Sequence, residues 1–160
     1  MGMDYLWSPW RYQYVTQAVP QQGCIFCLKM QENEDERNLV LYRGLNNYVL
    51  LNLFPYTPGH LMIAPYAHIG QLCEADDATW MEMMALTRKA EQALQRTYKP
   101  DGINLGMNLG KSAGAGIADH IHMHVLPRWH ADSNFISVIG ETRVLPEALE
   151  DTYRKMKPLF

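Results

Sequence analysis

Between positions 119 and 127 the chain reads Asp-His-Ile-His-Met-His-Val-Leu-Pro, which sets His120, His122 and His124 at alternate positions. On an extended strand alternate side chains share a face, so the three imidazoles would stand in a row about 6.5–7 Å apart, with Ile121, Met123 and Val125 on the opposite face. Imidazole titrates near pH 6.5, and burying three of them charged would be costly. The row therefore reads as an acid/base, nucleophilic or ligand set rather than as ordinary core. Spacing alone leaves a nucleophilic imidazole and a metal-ligating one both open. All six histidines, which include His60, His68 and His130, fall between positions 60 and 130. Chemistry is to be sought there.

Just upstream, Asn108-Leu109-Gly110-Lys111-Ser112-Ala113-Gly114-Ala115-Gly116 is rich in small residues. Such a loop lets backbone N–H groups approach an anion, and a phosphate held there would lie beside the imidazoles; a plain turn is the alternative. It is not a Walker loop, because Gly-x-x-x-x-Gly-Lys-Ser/Thr is absent. A second pair of reactive side chains is Cys24-Ile25-Phe26-Cys27, either metal ligands or a redox pair. The third cysteine, Cys73, makes the count odd, and with no secretion signal at the start this argues against a disulfide framework. Cys73 reads as a packing thiol, and His130, beside Trp129, as a surface histidine.

The elements that position these residues follow from patterning. Leu39 to Tyr42 and Tyr48 to Leu53 read as strands joined by the hairpin Arg43–Asn47, and His60 to Ala64 as a third strand ending at Pro65. Asp76 or Asp77 caps a long helix to about Tyr98, with Trp80, Met83, Met84, Thr87, Ala90 and Leu94 at helical spacing and Lys99-Pro100 as its stop. Ile103 to Leu109 and His120 to Leu126 alternate as fourth and fifth strands, and Pro146 opens a C-terminal helix, Glu147 to Met156. Hairpin-connected strands with helices on one side predict an α+β fold and a mainly antiparallel five-stranded sheet. Residues 1–22 are aromatic and irregular, with a short helix predicted after Pro9.

Composition narrows the class. The chain has 160 residues, 48% of them hydrophobic and 19% charged, enough apolar content for one compact domain and too much for disorder. Fourteen Lys and Arg against seventeen Asp and Glu leave a net charge of −3, which disfavours a reader of nucleic-acid backbones. No apolar run reaches the length of a membrane span, so the expectation is a cytoplasmic protein with no membrane or nucleic-acid partner.

Taken together, His-x-His-x-His and the upstream run Pro58-Gly59-His60-Leu61-Met62-Ile63-Ala64-Pro65-Tyr66-Ala67-His68 resemble the histidine triad superfamily, in order and spacing, from about Cys24 to Arg128. Leu6 to Arg11, Leu51 to Tyr56, Asn108 to Gly114 and Pro127 to Phe135 are similar to the diadenosine tetraphosphate phosphorylase, or ATP adenylyltransferase, branch. The resemblance implies a single domain over residues 1–160, with 1–22 as an N-terminal arm and 129–160 as a C-terminal extension. It also implies a homodimer and a nucleotide or dinucleoside polyphosphate substrate.

In catalysis the resemblance makes His122 the nucleophile on an α-phosphorus, His124 the group that holds its tautomer, itself or through a backbone carbonyl, and His60 a member of the network around the phosphate. It places Asn52 on the ribose hydroxyls, Asn108 on a phosphate, and Ser112, Gly114, Ala115 and Gly116 in the phosphate loop. Ile25, Phe26 and Leu53 would wall the base, with ordinary core as their alternative role. A subset of the superfamily binds zinc through positions matching Cys24, Cys27, His68 and His120, so a structural zinc is implied, with no organic cofactor. That ion would tie the N-terminal segment to the sheet and hold His120 away from the chemistry.

The chain also departs from the smaller members of the superfamily. Ala113 to Asp119 is one residue longer and lacks their Gln and hydroxyl, leaving Ser112 or a water to protonate the leaving group and more room beyond the α-phosphate. That room suits a polyphosphate substrate, with phosphate as a co-substrate. Two other readings stand beside the phosphorylase: a dinucleoside polyphosphate or nucleoside phosphoramidate hydrolase, with water as acceptor, and a zinc-stabilised nucleotide-binding module with little catalysis.

Overall fold

A computed structural model describes residues 23–132 and 146–160. The helix expected after Pro9 and the residues around Phe135 lie outside them. In chain order the elements are α1 (Ile25–Gln31), β1 (Val40–Arg43), β2 (Asn47–Leu51), β3 (Leu61–Pro65), α2 (Asp77–Tyr98), β4 (Gly102–Gly106), β5 (Met123–Arg128) and α3 (Leu149–Met156). Short 3-10 turns lie at Leu72–Glu74, Lys111–Ala113 and Lys157–Leu159. The five strands form one sheet in the order β1-β2-β3-β5-β4, antiparallel throughout. This is the α+β fold that the patterning predicts.

Every residue of β2 and β3 is buried, so these central strands are covered on both faces. On one face Leu41, Val49, Leu51, Leu61, Ile63 and Val125 pack against Met83, Leu86, Ala90 and Leu94 of α2 and Tyr153 and Met156 of α3. On the other face Val40, Tyr48, Leu50, Met62 and Ala64 pack against Phe26 of α1. The expectation that all helices share one side is corrected by α1, whose Phe26 is only 4% exposed and fills the second face. No described helix is long and apolar enough to cross a membrane.

Helix α2 starts where the Asp76 side chain accepts from Thr79 N–H at 2.8 Å and ends at Lys99, a left-handed cap with φ 46° before Pro100. Its buried stripe runs Met83, Leu86, Thr87, Ala90, Ala93 and Leu94. Met84, counted with the helically spaced residues of α2 in the sequence, is 52% exposed because it sits about 100° around the helix from Met83.

Glu82 points from α2 into the β1–β2 hairpin. Its carboxylate accepts from the backbone N–H groups of Leu45 at 2.7 Å, Asn46 at 2.6 Å and Asn47 at 2.8 Å, and from Asn47 Nδ2 at 3.0 Å. Burial acts to raise the Glu82 carboxyl, and these donors outweigh it and hold the group below the usual carboxylate range. Gly44 is needed beside it: a Cβ there would meet Glu82 Oε1 at 2.5 Å. Glu82→Ala should therefore cost about 2–3 kcal/mol, lowering the unfolding midpoint by about 5–10 °C. Thermal unfolding checks this, and a drop under about 1 °C contradicts the hairpin clamp.

Candidate active site and metal cluster

The run His120 to Leu126 was expected to be all strand, and the ladder is shorter. Register pairs Leu61 with Val125, Met62 with His124 and Ile63 with Met123, and there it stops. Pro65, near the point where the next partner would lie, has no N–H to offer. Ile121 N–H instead bonds Ile69 O at 2.8 Å, so β5 begins at Met123 and only His124 of the triad sits in it. The separation of faces predicted from alternation nonetheless holds from His122 to Val125. Met123 and Val125 face the α2 core, while the rings of His122 and His124 lie 4.7 Å apart, with Phe26 4.8 Å from His122 and 5.1 Å from His120.

The nucleophile candidate has a defined tautomer. His122 Nδ1 lies 2.9 Å from the backbone oxygen of His120, which can only accept, so Nδ1 carries the proton and Nε2 keeps its lone pair. His60, the residue before β3, meets His124 through a 2.9 Å bond between His60 Nε2 and His124 Nδ1. Tyr56 lies against both, with ring centroids 4.7 Å from His60 and 6.1 Å from His124. Burial holds the His122 imidazole below its usual range, and burial followed by the neighbouring His122 pushes His124 down to about 4. Near pH 7 both rings are neutral.

Behind this face Cys24, Cys27, His68 and His120 bring four ligand atoms within 4.8 Å of one another. Cys24 Sγ is 3.3 Å from His120 Nδ1, and Cys27 Sγ is 3.5 Å from His68 Nδ1 and 3.6 Å from His120 Nδ1. A tetrahedral ion with ordinary thiolate and imidazole bond lengths would set S···N edges of about 3.5 Å, so these residues fit a metal. His120 Nε2 donates to Pro65 O at 2.9 Å, which turns its Nδ1 lone pair toward the thiols, as a ligating histidine requires. His120 was expected to stand away from the chemistry. It does so through its side chain only, since its carbonyl oxygen holds His122.

The other predicted positions fall as follows. The register pairs Gly106 with His124, so the chain leaves β4 beside the triad and the loop containing Asn108 starts there. Within it, Ala113 and Ala115 N–H bond Gly110 O and Gly114 N–H bonds Lys111 O, so three amides are spent on the turn itself. Lys111, Ser112, Gly114 and Gly116 are exposed and Ala115 is buried. Ile25 is half-buried beside Phe26, Leu53 is 46% exposed, and half-buried Asn52 contacts His60. His130 and Cys73 are exposed, Cys73 therefore not being a core thiol. Sequence reasoning missed Tyr56, whose signal was an aromatic residue four positions before His60; of the two expected holders of the His122 tautomer the structure shows the backbone carbonyl, that of His120, and not the His124 ring.

A buried row of imidazoles joined to His60, backed by a Cys₂His₂ cluster on a five-stranded antiparallel sheet, defines a histidine triad site. The HIT domain family matches residues 33–131, and the chain belongs to that family. It is 41% identical over 162 residues to AP-4-A phosphorylase of Mycobacterium tuberculosis, covering 95% of this chain and 82% of that protein. It is 28% identical over 93 residues to the asymmetrical bis(5'-nucleosyl)-tetraphosphatase of Schizosaccharomyces pombe, covering 58% of this chain and 50% of that one. Among solved structures, a Zn-bound histidine triad family protein from Mycobacterium smegmatis superimposes with a TM-score of 0.69 at 27% identity, covering 86% of this chain and 92% of that one.

Proposed function

We propose that this protein cleaves dinucleoside polyphosphates by phosphorolysis, with His122 as the nucleophile. The observation that carries this is the His122–His120 bond, which leaves a buried neutral Nε2 with its lone pair available. The 41% identity to a phosphorylase over nearly the whole chain supports the substrate class. In the first step Nε2 forms a bond to an α-phosphorus while the bond to the bridging oxygen breaks, and diadenosine tetraphosphate thereby releases ATP. In the second step an oxygen of inorganic phosphate attacks the nucleotidyl-histidine, the P–N bond breaks, and ADP leaves. Splitting the displacement in two replaces one difficult step by two easier ones.

Neutral His124 contributes a donor rather than a charge, and His60 orients it. Exposed Lys111, Ser112 and Gly116 are the loop residues we assign to the anion chain, with Ser112 or water protonating the departing oxygen. Asn108 enters the same loop. Exposed Leu53 and half-buried Ile25 provide apolar surface for a base, whereas Phe26 belongs to the core beneath it. Zinc is our assignment for the Cys₂His₂ cluster, since thiolate and imidazole donors in four-fold array suit it. It would cross-link the start of α1 to His68 and His120 and so hold the backbone that presents the His120 oxygen to His122. The homodimer implied by the family is supported by the edge strand β4, whose Leu105 is 52% exposed.

Product analysis decides the acceptor. Diadenosine tetraphosphate incubated with phosphate should give ATP and ADP, at a rate that rises with phosphate concentration. ATP and AMP at a phosphate-independent rate would sink the phosphorylase reading and favour the hydrolase.

A further inference from the structure

The loop from Asn52 to His60 is closed by its own backbone, with Asn52 N–H donating to His60 O at 2.9 Å and His60 N–H to Thr57 O at 3.2 Å. Inside it, Phe54 N–H lies 3.0 Å from the Asn52 side chain. A backbone N–H can only donate, so the atom facing it is Oδ1 and the other end of the carboxamide is the NH₂ group. That NH₂ group lies 3.3 Å from His60 Nδ1, and Tyr56 N–H reaches the same nitrogen at 3.1 Å. Two donors thus converge on His60 Nδ1. It must hold a lone pair, which puts the His60 proton on Nε2, facing His124 Nδ1 at 2.9 Å. His124 Nδ1 then accepts, and the His124 proton sits on Nε2, at the ring edge turned away from His60.

We propose that Asn52 is a positioning residue which, with the backbone N–H of Tyr56, locks His60 and His124 in a single neutral Nε2–H tautomer. The role is separate from any contact with a ribose. An aspartate has the same shape and accepts hydroxyl hydrogen bonds as well as asparagine does, but it would set an acceptor against His60 Nδ1 in place of a donor. The amide nitrogen is what the lock requires. Among the described residues the titratable rings against His60 are Tyr56 from its own loop and His124 from β5, with His122 beyond His124. For its consequence in turnover the inference rests on the reading of this face as a phosphate site; the lock itself is a property of the free protein.

Histidine ring-nitrogen NMR on the ¹⁵N-labelled, metal-replete free protein tests it. The wild type should show His60 and His124 with protonated Nε2 and unprotonated Nδ1 at neutral pH. In Asn52→Asp, His60 Nδ1 should take up a proton, its titration midpoint rising by roughly one unit or more. In Asn52→Ala, the His60 Nδ1 shift should move away from the wild-type value, because one of its two donors is gone. A wild-type spectrum with His60 protonated on Nδ1, or ring-nitrogen shifts unchanged in both variants, overturns the lock, and the alanine variant decides if the aspartate variant does not fold. A change in KM alone, with the free-protein spectra unmoved, likewise overturns it in favour of a simple ligand contact. If the spectra behave as stated and the wild type turns over no dinucleoside polyphosphate, the functional reading fails while the lock stands.

Discussion

Replacing His122 with alanine should lower turnover of diadenosine tetraphosphate on the order of 10⁴-fold or more, with the fold and the metal content retained. The size follows from the proposed role: without Nε2 there is no atom to receive the nucleotidyl group, and neighbouring donors can only polarise the phosphate. His124 cannot take over, because its Nδ1 is tied to His60 at 2.9 Å. Fold retention follows from what the ring touches. His122 packs on Phe26 and His124 and bonds one backbone oxygen, so its loss leaves a local gap costing about 1–3 kcal/mol. Its side chain contributes nothing to the Cys24–Cys27–His68–His120 cluster. Steady-state kinetics with metal analysis and thermal unfolding check all three statements. Turnover within tenfold of the wild type would exclude His122 as the nucleophile.

The triad, the helix α2 and the five strands were legible because each rests on a local pattern: alternation for strands, a three-to-four repeat for α2, and Pro or Asp at the ends; their order in the sheet, with β5 between β3 and β4, does not. The candidate metal ligands were legible for a different reason: Cys24 and Cys27 by spacing left a metal pair or a redox pair open, and the family resemblance brought His68 and His120 to them. What stayed hidden depends on contacts distant in sequence. His120 and Ile121 look like strand, and whether they pair depends on where β3 ends, some 55 residues earlier, at Pro65. Helix α1 is short and carries only Phe26 as a fully buried residue, too little to announce a face. The glycine-rich loop 108–116 could be read as a cradle of free amides or as a plain turn, and its own turn consumes three of those amides. Glycine content suggests that a backbone can approach an anion, not which N–H groups remain to bind it. Asn52 was assigned by position to a ribose, and only the neighbouring Phe54 and Tyr56 amides reveal which way its carboxamide points.

Converting both Cys24 and Cys27 to serine should remove the metal, lower the unfolding midpoint by about 10 °C or more, and also cut turnover roughly 10–100-fold. The first two effects follow from losing two of four ligands, the third from how the cluster is wired. A zinc-loaded wild type should carry close to one ion per chain. With the ion gone, His120 keeps its bond to Pro65 O but loses the pull on Nδ1, and the backbone that presents its oxygen to His122 Nδ1 is no longer pinned. The same two cysteines flank Phe26, whose ring covers His122 at 4.8 Å, so freeing the start of α1 loosens the wall behind the nucleophile. Elemental analysis, thermal unfolding and kcat on one preparation separate these effects. Loss of metal with full turnover would mean that the cluster only tethers the chain to the sheet. Loss of all three would mean that the residue next to the chemistry in sequence, His120, also aims it, its imidazole held by the metal while its carbonyl fixes the proton on His122.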